Sequence, residues 1–180
     1  GLLAPADLAA GGVSETRPAA RLTEALAAVL GAEARSLLAG ALAGATSDQL
    51  LLVLHDPRLA PAAIALETCA WEAALCPVQR VDFRNFAHGR HVWIGHRPQS
   101  VIVLALTSTE TQAMWSEVDR ALPAQVKRLE LDGGGCGRFE TAVSIFSTLA
   151  AIEGVAAAVG IDPARPGVAS FGRDLFDSTS

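Results

Sequence analysis

Two short apolar runs constrain this chain more than anything else in it: Leu50-Leu51-Leu52-Val53-Leu54 and Val101-Ile102-Val103-Leu104-Ala105-Leu106. Neither alternates apolar with polar residues. A strand that is apolar at every position has no face to give to water and must be covered on both sides. The runs are shorter than an ordinary helix and rich in branched side chains, as strands are.

Around these runs the period changes. Arg17-Pro18 is suited to launch a helix, with Thr16 near the N-cap position. Leu22, Ala25, Leu26, Val29 and Leu30 then recur at helical spacing. Further helices are predicted over Glu33–Ala43, Ala60–Leu75, Thr109–Leu122 and Phe139–Val159, ending near Gly44, Pro77, Pro123 and Gly160. Strands are predicted over Gln49–His55, Val78–Phe83, Ser100–Leu106 and Val126–Leu131, with Gly133-Gly134-Gly135 as a flexible turn. Strands that alternate with helices imply βαβ units. The expected fold class is α/β, a three-layer α/β/α sandwich on a parallel sheet of four or five strands. Ligands in such sheets bind beyond the carboxyl ends of the strands, where the strand order reverses. The loops that begin at His55, Arg84, Thr107 and Asp132 are therefore the candidate site.

Composition narrows the function classes. The 180 residues, 51% of them hydrophobic, suffice for one core and one domain. Formal net charge is -5, charged residues are 18%, and no run of Lys and Arg offers a nucleic-acid footprint. Low charge with a positive mean hydropathy, +0.34, points to extensive burial in a core or an oligomer interface. Cys69, Cys76 and Cys136 have neither metal spacing nor an even disulfide count, so free thiols in a reducing cytoplasm are expected. No run is read as approaching the roughly 20 apolar residues that cross a bilayer. No basic segment followed by an apolar one marks a signal peptide. The expectation is a cytoplasmic protein with no nucleic-acid and no membrane partner.

The residues that carry chemistry form an ordered set. Ala65-Leu66-Glu67 opens it, Phe86-Ala87-His88-Gly89-Arg90-His91 follows, and Gly160-Ile161-Asp162-Pro163-Ala164-Arg165-Pro166 closes it. Order and spacing resemble the sugar isomerase (SIS) family of phosphosugar-binding domains, above all the second domain of proteins that carry two. The likeness runs from about Gln49 to Phe176. It implies a linker, or the end of a missing first domain, over residues 1–18, an SIS-like domain over 19–162 and a C-terminal tail over 163–180. Gly12-Val13-Ser14-Glu15-Thr16-Arg17 vaguely resembles a segment near the end of a first SIS domain. The chain would then start after the serine- and threonine-rich phosphate loop.

The resemblance implies a sugar-phosphate ligand, no cofactor and no metal, and a homodimer or a second SIS domain as partner. His88 matches the histidine that helps open the sugar ring and acts across a subunit boundary; its pKa range suits a proton shuttle. Several chemical positions are replaced. Asn85 stands for the glutamate of the Glu-x-x-His-Gly-Pro signature and Arg90 for its proline. Trp71 stands for a helix lysine, Ala74 for the proton-transferring base and Ser170 for a tail lysine, with Arg173 close by. Glu67 matches a family glutamate, although a structural role at a helix start competes with contact to sugar hydroxyls. Glu72 is the nearest carboxylate to the missing base.

Several other residues can be weighed without the resemblance. Thr107-Ser108-Thr109 opens a helix after the best strand and could hold an anion, or could equally be an ordinary N-cap, with Glu110 repelling a phosphate. Arg84 and Arg90 flank His88 and are the preferred phosphate pair. His91 could line the same cleft, whereas Trp93 suits core packing. By the same resemblance His55-Asp56 stands where the SIS family has a glycine-rich turn; Cys136 lies in a glycine-rich loop that lacks the Lys-Ser/Thr of a phosphate-binding loop. Two functions remain open: an aldose–ketose sugar-phosphate isomerase, or a non-catalytic sugar-phosphate sensor or dimerisation scaffold.

Overall fold

The computed structural model describes residues 16–133, 135–167 and 169–172. Most of the 1–18 segment, Arg173 and Phe176 lie outside the described residues. Four strands, β1 (Leu50–His55), β2 (Val78–Asp82), β3 (Val101–Thr107) and β4 (Lys127–Asp132), form one parallel sheet in the order β2-β1-β3-β4. This is the expected three-layer α/β/α arrangement. The register aligns the strand ends: His55 sits opposite Asp82 on one side and Leu106 on the other, and Thr107 opposite Asp132.

Both apolar runs are explained by cover on two sides. On one face Leu51, Val53, Ile102, Leu104 and Leu106 pack beneath α2 (Ala32–Leu42), α3 (Ala60–Glu72) and α7 (Glu140–Val159). On the other, Leu52, Leu54, Val103 and Ala105 meet Phe83, Phe86, Ile94 and Trp115. These come from α4 (Phe83–Asn85), the turn after it, α5 (His91–His96) and α6 (Gln112–Ala121). All residues of β3 are buried, as a strand without a polar face requires. α1 (Thr16–Leu30) packs on α2 and α7. The joint between α1 and α2 is Gly31, where a Cβ would lie 2.8 Å from the Ala27 carbonyl oxygen.

Several boundaries move for identifiable reasons. α1 starts at Thr16, inside the segment expected as linker. α3 ends before Pro77, because Ala74 adopts a left-handed φ of 52°. α6 starts at Gln112 because Ser108–Thr111 closes a turn, the Thr111 N–H donating to the Ser108 carbonyl at 3.0 Å. The stretch after β2, expected as loop, is a string of helical turns. α7 corrects the membrane reading: Gly137–Val159 has the length and hydropathy of a bilayer span, and half of that window is buried inside the fold. Its buried side carries Val143, Ala150, Ala151 and Val155.

Candidate functional site

The chain leaves β1 toward β2 and returns to β3 on the opposite side of β1, so the strand order reverses between β1 and β3. Their carboxyl ends place Asp56 beside Ser108. Asp56 is buried, with its side chain only 4% exposed, and it is fully engaged. Its carboxylate accepts from the Arg58 backbone N–H at 2.8 Å, from Arg58 Nη2 at 3.0 Å and from Ser108 Oγ at 2.6 Å. Burial alone would raise its pKa, but these donors win and hold it down at about 2. Hydrogen-bond accounting closes here. The Ser108 hydroxyl gives its proton to Asp56 and accepts from Arg58 Nη2 at 2.9 Å. The Thr111 hydroxyl accepts the Ser108 N–H at 3.0 Å, which leaves its own proton for Ser108 Oγ, 3.2 Å away.

Arg58 also reaches outward. Nη1 donates to Glu110 Oε1 at 2.8 Å and Nη2 lies 2.8 Å from Glu110 Oε2, a two-pronged ion pair. Asp56, the strongest of its partners, and Glu110 raise the Arg58 pKa further, so its charge is permanent. Two carboxylates thus share one guanidinium across the reversal point.

The end of β2 is organised locally. Asp82 caps the next turn, accepting from the Asn85 N–H at 2.8 Å and from Asn85 Nδ2 at 2.5 Å. The backbone donor of Asn85 is the main reason that the Asp82 pKa lies below the usual carboxylate range, and the neighbouring His55 acts in the same direction. Asn85, expected from the SIS resemblance to stand for a glutamate, thus gives both its backbone N–H and its side-chain amide to the Asp82 cap. A cleft of about 410 Å³ opens beside it, lined by Pro57, Asp82, Arg84, Asn85, Thr111 and Met114.

The sequence-predicted residues are dispersed. His88 is exposed on the turn after α4, its Nδ1 2.7 Å from the Arg84 carbonyl oxygen. A carbonyl only accepts, so Nδ1 carries the proton and Nε2 offers its lone pair. Gly89, next to it, has φ 129°. Arg84 lines the cleft at the end of β2. Arg90 is exposed on the same turn. His91, held by the Phe86 carbonyl at 3.2 Å, faces a different cavity of about 440 Å³ between the Phe86–Gly95 stretch and α6. Exposed Trp93 is covered by its own Arg97, 4.2 Å from the ring centre, and is not a core residue.

Glu67 is tied to Arg80 Nε at 2.5 Å, beside the middle of β2. Glu72 is the last residue of α3, the helix that connects the carboxyl end of β1 to the amino end of β2. It therefore lies at the end of the sheet opposite His88, and the fold does not bring the two together. Thr107 and Ser108 are fully buried, and their hydroxyls are committed to Glu130, at 2.7 Å, and to Asp56. Thr109 is exposed and its hydroxyl accepts from the Gly135 N–H at 3.4 Å. Ser170 is exposed in the tail. Cys69, Cys76 and Cys136 are not joined in disulfides, and burial pushes the latter two above the usual thiol range. Among the described residues no group of His, Cys, Asp and Glu is placed to hold a metal.

Sequence reasoning considered Asp56 and Glu110 separately and missed their union through Arg58. Arg58 and Glu110 are 52 positions apart, and only the parallel pairing of β1 with β3 joins them. No protein-family model matches this chain, and no curated protein matches it.

Proposed function

We propose that this chain is a phosphosugar-binding domain of the SIS type, working in the cytoplasm as a homodimer or against a second SIS domain. His88 carries this reading. Its ring is anchored through Nδ1 to the Arg84 carbonyl, and it offers a basic Nε2 from an exposed turn beyond β2. A nitrogen so presented can accept a sugar hydroxyl proton. Exposure suits a sugar bound largely by the neighbouring subunit or domain, with Arg84 and Arg90 available for the phosphate.

Binding without turnover fits the arrangement of this chain better than isomerisation. Isomerising an aldose to a ketose needs a base that removes the C2 proton and returns it at C1. Glu67 is committed to Arg80, Glu72 is at the far end of the sheet, and Trp71, Ala74 and Ser170 offer no carboxylate or amine. The isomerase reading keeps one support, the exposed His88 ring anchored through Nδ1 to the Arg84 carbonyl. A sensor or dimerisation scaffold keeps the pocket and omits the base.

Thermal unfolding with hexose and pentose phosphates, against plain sugars and inorganic phosphate, tests the reading. A ligand that binds only the folded state raises the melting temperature by mass action. A rise with a sugar phosphate that exceeds both controls is expected, and none with any sugar phosphate overturns the proposal. For a compound that binds, turnover abolished in His88→Ala with binding intact would favour the isomerase. No turnover in either protein would favour the sensor or scaffold.

A further inference from the structure

We infer that Glu110 is an internal stand-in on Arg58 for the anionic group of a ligand, displaced when a phosphate monoester enters the cleft beside β2; the inference rests on the phosphosugar reading. The two carboxylates on Arg58 differ in kind. Asp56 is buried and held by the Arg58 backbone, the Arg58 side chain and Ser108, so its place is over-determined. Glu110 is 71% exposed on its side chain and meets the outward prongs of the same guanidinium at 2.8 Å. Exposed ion pairs of this sort stabilise little, so exchanging one anion for another costs little. The fork that fits a carboxylate also fits two phosphate oxygens.

The cleft is a second, separate observation. Pro57, next to Arg58, and Thr111, next to Glu110, line the cavity of about 410 Å³, and Arg84 lines it as well. Arg58 and Glu110 do not line the cleft themselves, but their chain neighbours do, and its volume is large enough for a small sugar. Arg58, permanently charged and pinned by Asp56, is then the positioning cation. Displacement also releases the Glu110 side chain from the turn after β1, while Ser108 stays held by Asp56 and Arg58.

Calorimetric titration with inorganic phosphate and with glucose 6-phosphate tests this in the wild type, Glu110→Gln and the Arg58→Lys/Glu110→Gln double variant. Lysine keeps a positive charge beside Asp56 but loses the fork. Glu110→Gln is expected to bind either probe roughly two- to fivefold more tightly, the competition of an exposed ion pair expressed as affinity. The double variant is expected to lose that gain while its melting temperature shows that it folds. Equal affinity in the wild type and Glu110→Gln, with binding present, overturns the stand-in and leaves the phosphosugar reading in place. A gain that survives in the double variant also overturns it. No binding of either probe by wild type or variant, together with no thermal shift from any sugar phosphate, overturns both.

Discussion

The two faces of the sheet are built from the same kind of strand residue and are covered very differently. One face lies under α2, α3 and α7, of 11, 13 and 20 residues. The other lies under α4, α5 and α6, of 3, 6 and 10 residues, joined by turns. Long helices pack closely on their face. At Gly154 on α7 an added Cβ would stand 3.0 Å from Leu42 of α2. Short segments leave gaps, and the cavities of about 440 and 410 Å³ both border the thinly covered side. Burial of the strands needs both covers; the long-helix side keeps smaller cavities of about 250 and 240 Å³, and the thin side has the two roomier ones.

The largest test of this difference compares one leucine from each side. Leu42 is fully buried, whereas Leu122 is half-buried and already lines the larger cavity. Leu42→Ala removes packing that cannot collapse and is expected to cost about 2–5 kcal/mol. Leu122→Ala only widens an existing opening and is expected to cost about 1 kcal/mol or less by the same reasoning. Denaturant unfolding measures both. Equal losses would break the comparison.

Next in size is the pH dependence of the reversal point. The folded pKa of Asp56 is about 2 against an ordinary 3.8, so ionised Asp56 stabilises the fold. A depressed carboxylate contributes its full stability above the unfolded value and loses it as pH falls through the folded one. The contribution is of order 2 kcal/mol at neutral pH. The stability gap between wild type and Asp56→Asn should therefore be flat from pH 7 to about 5 and shrink between about 4 and 2. A gap that is constant through that window would show that the carboxylate charge is not what Arg58 and Ser108 hold.

A smaller, local effect is expected at Gly89. Its φ of 129° lies where side chains are rarely accommodated, and it separates His88 from Arg90. Gly89→Ala should cost about 1–2 kcal/mol. Amide exchange should quicken over residues 86–91, on the thin side, and remain slow in β1 and β3. Unchanged exchange across the turn would show that His88 does not depend on that backbone shape.

The sheet was legible in the sequence because burial on two faces leaves a local mark. Leu50–Leu54 and Val101–Leu106 cannot be anything but covered strands, and the long apolar helix after Phe139 has to cover one of them. Along 83–96 the segments are too short to establish a helical period, so that stretch passed as loop. The site was less legible still. Asp56, Arg58, Ser108 and Glu110 have no pattern in sequence, because strand pairing alone makes them neighbours. His88 was singled out by the Phe86–His91 motif and Arg84 by flanking it, and the fold joins the two by one hydrogen bond.

Glu67 gives the smallest expected effect and sharpens the comparison from the closely packed side. It lies on α3, matches a residue expected to meet sugar hydroxyls, and is paired with Arg80 at 2.5 Å, both side chains about 30% exposed. A partly exposed pair of this kind is worth about 0.2–1 kcal/mol. Glu67→Gln keeps the shape and removes the charge, so unfolding stability should fall by no more than that. Because Glu67 belongs to the covered face, affinity for any sugar phosphate that binds the wild type should stay the same. Arg80→Gln should behave like Glu67→Gln, and the double variant should lose no more than either single one, since both remove the same pair. A loss of sugar-phosphate affinity in Glu67→Gln with stability unchanged would move the site toward α3 and undo the division between a closely packed face and a thinly covered one.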